Sequence, residues 1–198
     1  LGKIRIGTLH YFRRIEPKAG IADANEGKTL VTHHIPYANS DEVGTKHLEA
    51  LKHFKAMDID RVPGVTLRNV SVTRIFNLAD CFVHCTSVEF SQKVMSQFEG
   101  ADSCVEITDL RGFYRRLTET LNGITHVNFR TISKVNYLKR EEKWNGEDWG
   151  VNPALIKEPS FRKQLEIRAI WMPKYEENIS PIVVNDIGLI KYCRVREI

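Results

Sequence analysis

Short runs that alternate apolar and polar residues recur along most of this chain, and many are rich in valine, isoleucine, threonine and aromatic residues. This alternation is typical of β-strands, because successive side chains point to opposite faces of a sheet. Only a few segments show the period of an amphipathic helix, and they do not alternate regularly with the strands. The sequence therefore predicts an α+β fold: mostly antiparallel or mixed β-sheets, as one sheet or two packed sheets, flanked by three or four helices.

The pattern also indicates which segments pair. Residues 3–15 read as one strand or two short ones, and residues 29–36 are expected to return as the second arm of a hairpin. Residues 65–77 and 81–87 read as neighbouring strands of the central sheet. The clearest helix begins at Asp109, where apolar residues recur at helical spacing on one face. These residues are Leu110, Phe113, Leu117 and Leu121.

The size and composition of the chain indicate one globular unit. It has 198 residues, of which 42% are hydrophobic and 27% charged, so we expect a single domain over residues 1–198. The sequence begins inside an apolar alternating run, which leaves open that an N-terminal segment precedes Leu1. It has no run of about 18 apolar residues and no signal-peptide pattern, so we expect no membrane partner and a cytoplasmic location. The four cysteines form no spaced framework, which favours reduced thiols.

Residues 139–150 form a polar stretch in which Trp144 and Trp149 are embedded. A connection of about a dozen residues is long for a compact domain, so we expect a lid loop here. If the protein is instead a non-enzymatic sensor or interaction domain, these tryptophans are the expected contact surface.

The segment QLEIRAIW, residues 164–171, alternates polar and apolar side chains. As a strand it directs Gln164, Glu166 and Arg168 to one face and its apolar residues to the core. One interpretation is a structural ion-pair network on a solvated face, worth under about 1 kcal/mol for each exposed pair. The other is a catalytic carboxylate at Glu166, with the Gln164 amide aimed into the same cleft.

The segment CFVHCTS, residues 81–87, reads as a strand that carries hydroxyl groups at its end. Thr86 and Ser87 point to opposite faces because side chains alternate. Cys81 and Cys85 would need a second pair of cysteine or histidine ligands to hold zinc, and the sequence offers none at suitable spacing. We therefore expect no metal site.

Three of these elements together resemble a known family. The three elements are Arg5 on the first strand, Cys85-Thr86-Ser87 on a middle strand and Gln164-Leu165-Glu166 on a late strand. They resemble the Arg, Ser-Thr-Ser and Gln-x-Glu elements that occur in this order in ADP-ribosyltransferases. The order and the strand contexts agree, and the middle motif has cysteine where the family usually has serine.

The resemblance implies NAD as the substrate, bound without a metal. It implies that Arg5 binds the phosphates of NAD, while Thr86 and Ser87 support the nicotinamide ribose. A guanidinium suits a pyrophosphate because its planar fork can contact two oxygens at once. We expect Arg168, which shares a face with Glu166, to contact the cofactor as well.

The resemblance also implies the catalytic roles. Glu166 would stabilise the oxocarbenium-like ribose as nicotinamide leaves, because one fixed carboxylate can offset the positive charge that develops on the sugar. Gln164 would help to select the acceptor, which is a protein or a nucleic acid. Transfer to water would instead make the protein an NAD glycohydrolase.

A second resemblance covers more of the chain. It is to a group of bacterial domains associated with phage defence, and it rests on the segments RIGTLHYFRRIE, DANEG, CFVHCTS, CVEITDLRGFYRRL, KVNYLKR and FRKQLEIRAIW. This resemblance implies a toxin or defence role and a common pocket lined by Arg5, Arg13, Glu16, Asp23, Glu26, Glu166 and Arg168. For Asp23 and Glu26 the alternative is a simple turn held by Asx hydrogen bonds.

A rival interpretation uses the cations and aromatic rings between residues 111 and 140. The net charge of +4 permits a polyanionic partner, and interleaved cations and rings can hold single-stranded nucleic acid. The residues are Arg111, Phe113, Tyr114, Arg115, Arg116, Phe129, Arg130, Lys134, Tyr137, Lys139 and Arg140. This set would make the chain a nucleic-acid-binding or nuclease module, whereas Glu119, Glu141 and Glu142 favour an ordinary solvated face.

Overall fold

The computed structural model describes residues 2–13, 23–42, 44–57, 62–175 and 178–196, and within them the chain forms twelve β-strands and three α-helices. The strands are β1 (Lys3–Thr8), β2 (Lys28–Asn39), β3 (Thr66–Asn77), β4 (Phe82–Ser87), β5 (Cys104–Ile107), β6 (Val127–Lys134), β7 (Asn136–Tyr137), β8 (Glu141–Lys143), β9 (Ile156–Lys157), β10 (Glu166–Pro173), β11 (Ile182–Asn185) and β12 (Cys193–Arg196). The helices are α1 (Lys46–His53), α2 (Gln92–Met95) and α3 (Leu110–Asn122). The predicted α+β class is confirmed.

The central sheet has five strands in the order β11-β1-β4-β10-β6, and all neighbours are antiparallel. Helix α3 covers one face, where its Phe113 and Leu117 pack with Phe82 and Trp171. Asp109 caps this helix, since its side chain accepts a hydrogen bond from the amide of Gly112. The alternation predicted for β10 is therefore correct on this face, as is the start of the helix.

A second sheet has the order β3-β2-β8 and is covered by α1. Strands β2 and β3 pair over their whole length, from Lys28 opposite Asn77 to Asn39 opposite Thr66. The predicted hairpin between residues 3–15 and 29–36 is wrong, and so is the placement of residues 65–77 beside 81–87. Both errors have one cause: β2 and β3 are equally long, and α1, which lies between them in the chain, buries their shared face.

The segment at residues 139–150 belongs to this second core. Its strand β8 pairs in parallel with β2, with Glu141 opposite Leu30. Trp144 is only 7% exposed, and the ring of Trp149 packs against Phe54 at 5.0 Å. We expected this segment to be a lid loop, or its tryptophans to form a contact surface. In the structure both tryptophans instead pack in the second core.

Strand β1 changes partner along its length. Residues 3–6 pair with β11, whereas only Gly7 and Thr8 pair with β4. The second half of β4 is therefore separated from β1, and the two-stranded sheet β5-β12 borders the opening with Val105 and Val195. This separation creates a cleft beside the end of β4.

None of the helices in the described ranges has the length and apolar character needed to cross a lipid bilayer.

Candidate functional site

A cavity of about 250 Å³ lies where the end of β4 meets the start of β10. Both ion-pairing and aromatic side chains form its wall. They are Phe12, Glu26, Cys85, Thr86, Ser87, Phe98, Lys157, Gln164, Glu166 and Arg168. The structure thus brings five of the six predicted site residues to one cavity, and the exception is Arg5.

Gln164 and Glu166 reach this cavity by a turn rather than by one continuous strand. Gln164 ends a 3-10 helix, and Leu165 has a left-handed backbone with φ 48°, so β10 begins only at Glu166. The prediction of a strand from residue 164 is wrong at this point. Both side chains nevertheless meet one ammonium group: Lys157 Nζ donates to Gln164 Oε1 at 2.8 Å and to Glu166 Oε2 at 2.9 Å.

Arg168 is enclosed by acceptors. Its Nη1 and Nη2 donate to the two carboxylate oxygens of Glu26, each at 2.7 Å, and Nη1 also donates to the carbonyl of Ala154 at 2.7 Å. Its Nε donates to Glu166 Oε1 at 2.6 Å. The Arg168 side chain is 1% exposed, so its contact with Glu166 lies in the protein interior. The cofactor contact expected of Arg168 stays a prediction.

The carboxylate of Glu166 is ionised. Burial would raise its pKa, but the charges of Arg168 and Lys157 outweigh burial and lower the pKa from 4.5 to about 2. With Glu26 as the fourth member, the cluster contains two cations and two anions. A carboxylate with so low a pKa can stabilise positive charge at neutral pH, but it cannot act there as a general acid.

We expect this ion-pair cluster to make the protein less stable in acid. Because the pKa of Glu166 is lowered on folding, its contribution is complete above pH 4.5 and is lost as the pH falls towards about 2. The loss is on the order of 3 kcal/mol. Urea unfolding across this pH range measures it, and the Glu166→Gln variant should give a flatter curve. Parallel curves for the two proteins would show that Glu166 has no such coupling.

The thiol of Cys85 also contacts this carboxylate. Its side chain has exposed surface in the cavity, yet burial of the sulfur raises the pKa well above 9.0, and the Glu166 charge raises it further. The protonated thiol hydrogen-bonds to Glu166. Since the thiolate is the reactive form, this cysteine is a poor nucleophile.

The turn at residues 23–27 supplies two buried carboxylates to the protein interior. Glu26 pairs with Arg168, and Asp23 Oδ2 accepts from Arg140 Nη2 at 2.7 Å. Asp23 Oδ1 also accepts from the amide of Asn25, so it makes the Asx turn and an ion pair together. The common pocket implied by the second resemblance is formed only in part, and Glu16 lies outside the described residues.

Two hydroxyls at the end of β4 face different surroundings. Ser87 lies opposite Glu166 in the strand pairing and shares its face of the sheet. Thr86 lies on the α3 face, where it hydrogen-bonds to Tyr114, and the hydroxyl of Tyr114 lies 3.0 Å from His84 Nδ1. Burial lowers the pKa of His84 to about 4, so its ring is neutral.

Arg5 borders a neighbouring cavity of about 340 Å³, which is mostly apolar. Its guanidinium lies 4.6 Å from the centre of the Tyr11 ring. Thr86 lines both this cavity and the Glu166 cavity. A larger groove of about 750 Å³ also shares Thr86, together with Cys85 and Ser87. The carboxylate and the guanidinium therefore line different cavities, which have Thr86 in common.

Three cavity residues were absent from the sequence predictions: Lys157, Phe12 and Phe98. The sequence does contain a signal for Lys157. It follows three apolar residues in a short segment between Pro153 and Pro159, and the two prolines restrict the backbone there. Phe12 lies against β1 because Gly7 has no side chain, and a Cβ there would collide with the Phe12 ring. No sequence pattern marked either phenylalanine.

Ten of the eleven residues of the rival interpretation fall into two groups, and the eleventh, Tyr137, is half-buried and accepts a hydrogen bond from the amide of Glu166 through its hydroxyl. Phe113 and Tyr114 are buried in the core, Arg116 pairs with Asp186, and Arg140 is buried against Asp23. The exposed members are Arg111, Arg115, Phe129, Arg130, Lys134 and Lys139. No group of three or more histidine, cysteine, aspartate or glutamate side chains in the described residues is arranged to hold a metal ion.

Comparison with protein-family models, curated protein sequences and solved structures finds no match to this chain.

Proposed function

We propose that this protein is a cytoplasmic enzyme that cleaves the nicotinamide–ribose bond of NAD, as an ADP-ribosyltransferase or an NAD glycohydrolase of a toxin or defence system. The observation that carries the proposal is the buried, ionised carboxylate of Glu166. Arg168 and Lys157 hold its two oxygens in place, so the negative charge has a fixed position in the wall of the cavity. A fixed charge of this kind stabilises a developing cation without reorganisation.

The reaction follows from this charge. The bond between C1′ of the ribose and the nicotinamide nitrogen breaks, and its electron pair leaves with nicotinamide. The positive charge left on the ribose is stabilised by Glu166. An oxygen or nitrogen of the acceptor, or the oxygen of water, then forms a bond to C1′. The proton of this group goes to solvent, since Glu166 with a pKa of about 2 is too weak a base to retain it.

The two adjoining cavities suit the two ends of NAD. The nicotinamide ribose would lie beside Glu166, with Phe12 and Phe98 as aromatic walls. The phosphates would pass Thr86 towards Arg5, and the apolar cavity beyond would receive the adenosine. Together the cavities lie within the size range of small-molecule sites.

The test is incubation of the protein with NAD labelled in its nicotinamide ring, with and without protein, RNA and DNA acceptors. Release of labelled nicotinamide, accompanied by ADP-ribose or a modified acceptor, is the expected result. Intact NAD under all of these conditions would contradict the proposal. The interaction-domain alternative has no support in this geometry, because its two tryptophans pack in the second core.

A further inference from the structure

One side of the molecule carries a row of exposed cations on α3 and β6. Arg111 and Arg115 lie one turn apart on α3, and Thr118 and Asn122 continue the same stripe. Thr118 accepts a hydrogen bond from Trp171 at 2.8 Å, and Asn122 accepts one from the amide of Val127 at 3.0 Å. These two contacts show that the stripe faces the sheet at β10 and β6.

Strand β6 is an edge strand and carries the other half of this surface. Phe129 lies opposite Trp171, and Lys134 lies opposite Ile167, so both side chains are on the α3 side of the sheet. Phe129 is 42% exposed although its ring packs 5.6 Å from that of Trp171. We call Arg111, Arg115, Phe129 and Lys134 the α3–β6 face.

The cations of this face have no acidic partner among the residues that the structure describes. Within the described ranges, Arg111, Arg115 and Lys134 form no ion pair. Glu119 is the acid that follows on the helix, and its charge acts on Arg116, which turns away to pair with Asp186. The face therefore presents three positive charges and one exposed aromatic ring.

The α3–β6 face borders a groove that has wall residues in common with the Glu166 cavity. Leu110, next to Arg111, and Ile167, opposite Lys134, both line the groove of about 750 Å³. That groove includes Cys85, Thr86 and Ser87, which also form the wall of the Glu166 cavity. A chain bound along the face can thus reach the site where the ribose cation is proposed to form.

We propose that the acceptor is a single-stranded nucleic acid bound to the α3–β6 face. This inference rests on the proposed function. Phosphates contact Arg111, Arg115 and Lys134, and a base stacks on Phe129. A single strand fits because its bases are free to stack and one nucleotide can approach the opening of the Glu166 cavity. There, an N–H or O–H group of the nucleotide forms the bond to C1′ and loses its proton to solvent, while nicotinamide leaves with the electron pair.

The test measures binding of short fluorescent single-stranded RNA and DNA by anisotropy at several salt concentrations. The combined Arg111→Gln, Arg115→Gln and Lys134→Gln variant should bind at least about tenfold more weakly, and its slope of log affinity against log salt should fall by about 2. A matched control, Lys55→Gln, Arg68→Gln and Lys143→Gln, removes three exposed cations from the second sheet and the turn after α1. It should bind as the wild type does.

Separate readouts distinguish this inference from the proposed function. In the α3–β6 variant, nicotinamide release to water should persist while transfer to the oligonucleotide is lost. No oligonucleotide binding, equal loss in the control variant, or equally tight binding of duplex would overturn the inference. Intact NAD in the presence of bound oligonucleotide would instead overturn the proposed function and leave the binding surface standing.

Discussion

Nicotinamide release from NAD is expected to fall about 100- to 1,000-fold when Glu166 is replaced by glutamine, as when one preorganised electrostatic contact is removed. Glutamine keeps the size of the side chain and can still accept from Lys157 or Arg168. It removes the negative charge that stabilises the ribose cation. The measurement is the initial rate of release from labelled NAD, compared at equal amounts of folded protein.

Two further variants make this result interpretable. Glu49→Gln removes an exposed carboxylate from α1, which packs on the second sheet and contributes nothing to the cavity wall, and should leave the rate unchanged. Glu166→Asp keeps the charge but shortens its reach, so its rate should lie between those of wild type and Glu166→Gln. A folded Glu166→Gln protein with the wild-type rate would remove Glu166 from the mechanism.

Replacing Arg168 with alanine is expected to destabilise the protein by about 3–5 kcal/mol. The change leaves the buried carboxylates of Glu26 and Glu166 without their shared partner, and uncompensated buried charge is the main cost. Urea unfolding at neutral pH gives the free energy, provided that the slope of the transition matches that of the wild type.

The matched control is Arg194→Ala, which breaks an exposed pair with Glu106 on the β5-β12 sheet. It should cost no more than about 1 kcal/mol, because water screens such pairs. Combining Arg168→Met with Glu26→Gln should cost less than the sum of the single changes, since fewer charges remain unpaired. An equal loss of unfolding free energy for Arg168→Ala and Arg194→Ala would show that the buried network stabilises the protein no more than an exposed ion pair does.

The sequence predicted those features that depend on local periodicity. The alternation of β10 placed Ala169 and Trp171 in the core and Glu166 on the opposite face. The helical spacing after Asp109 located α3 and its apolar side, except that Leu110 is 43% exposed and borders the groove. Each of these features is determined within about a dozen residues, so a single sequence suffices.

Strand pairing was not predictable in the same way. The partner of β2 is β3, which lies beyond α1 in the chain, and no local signal distinguishes it from β1. The polar composition of residues 139–150 suggested a lid, whereas two tryptophans anchor this segment to the second core. Burial of those rings depends on a surface that the rest of the fold provides.

The candidate site was predictable only in outline. Glu166, Gln164 and the end of β4 were expected to meet, and they do. The two hydrogen bonds from Lys157 were not expected. They depend on the left-handed turn at Leu165, which brings Gln164 and Glu166 to one ammonium group. The contact of Arg168 with a cofactor stays a prediction, and in the structure its guanidinium donates to Glu26, Glu166 and the carbonyl of Ala154.

The most direct test of the account is a crystal structure of the Glu166→Gln variant with NAD, since slow turnover should preserve the intact dinucleotide. The account predicts the nicotinamide ribose beside position 166, the pyrophosphate near Arg5 and the dinucleotide passing Thr86 between the two cavities. NAD bound elsewhere on the protein, or an empty cavity at saturating NAD, would contradict it.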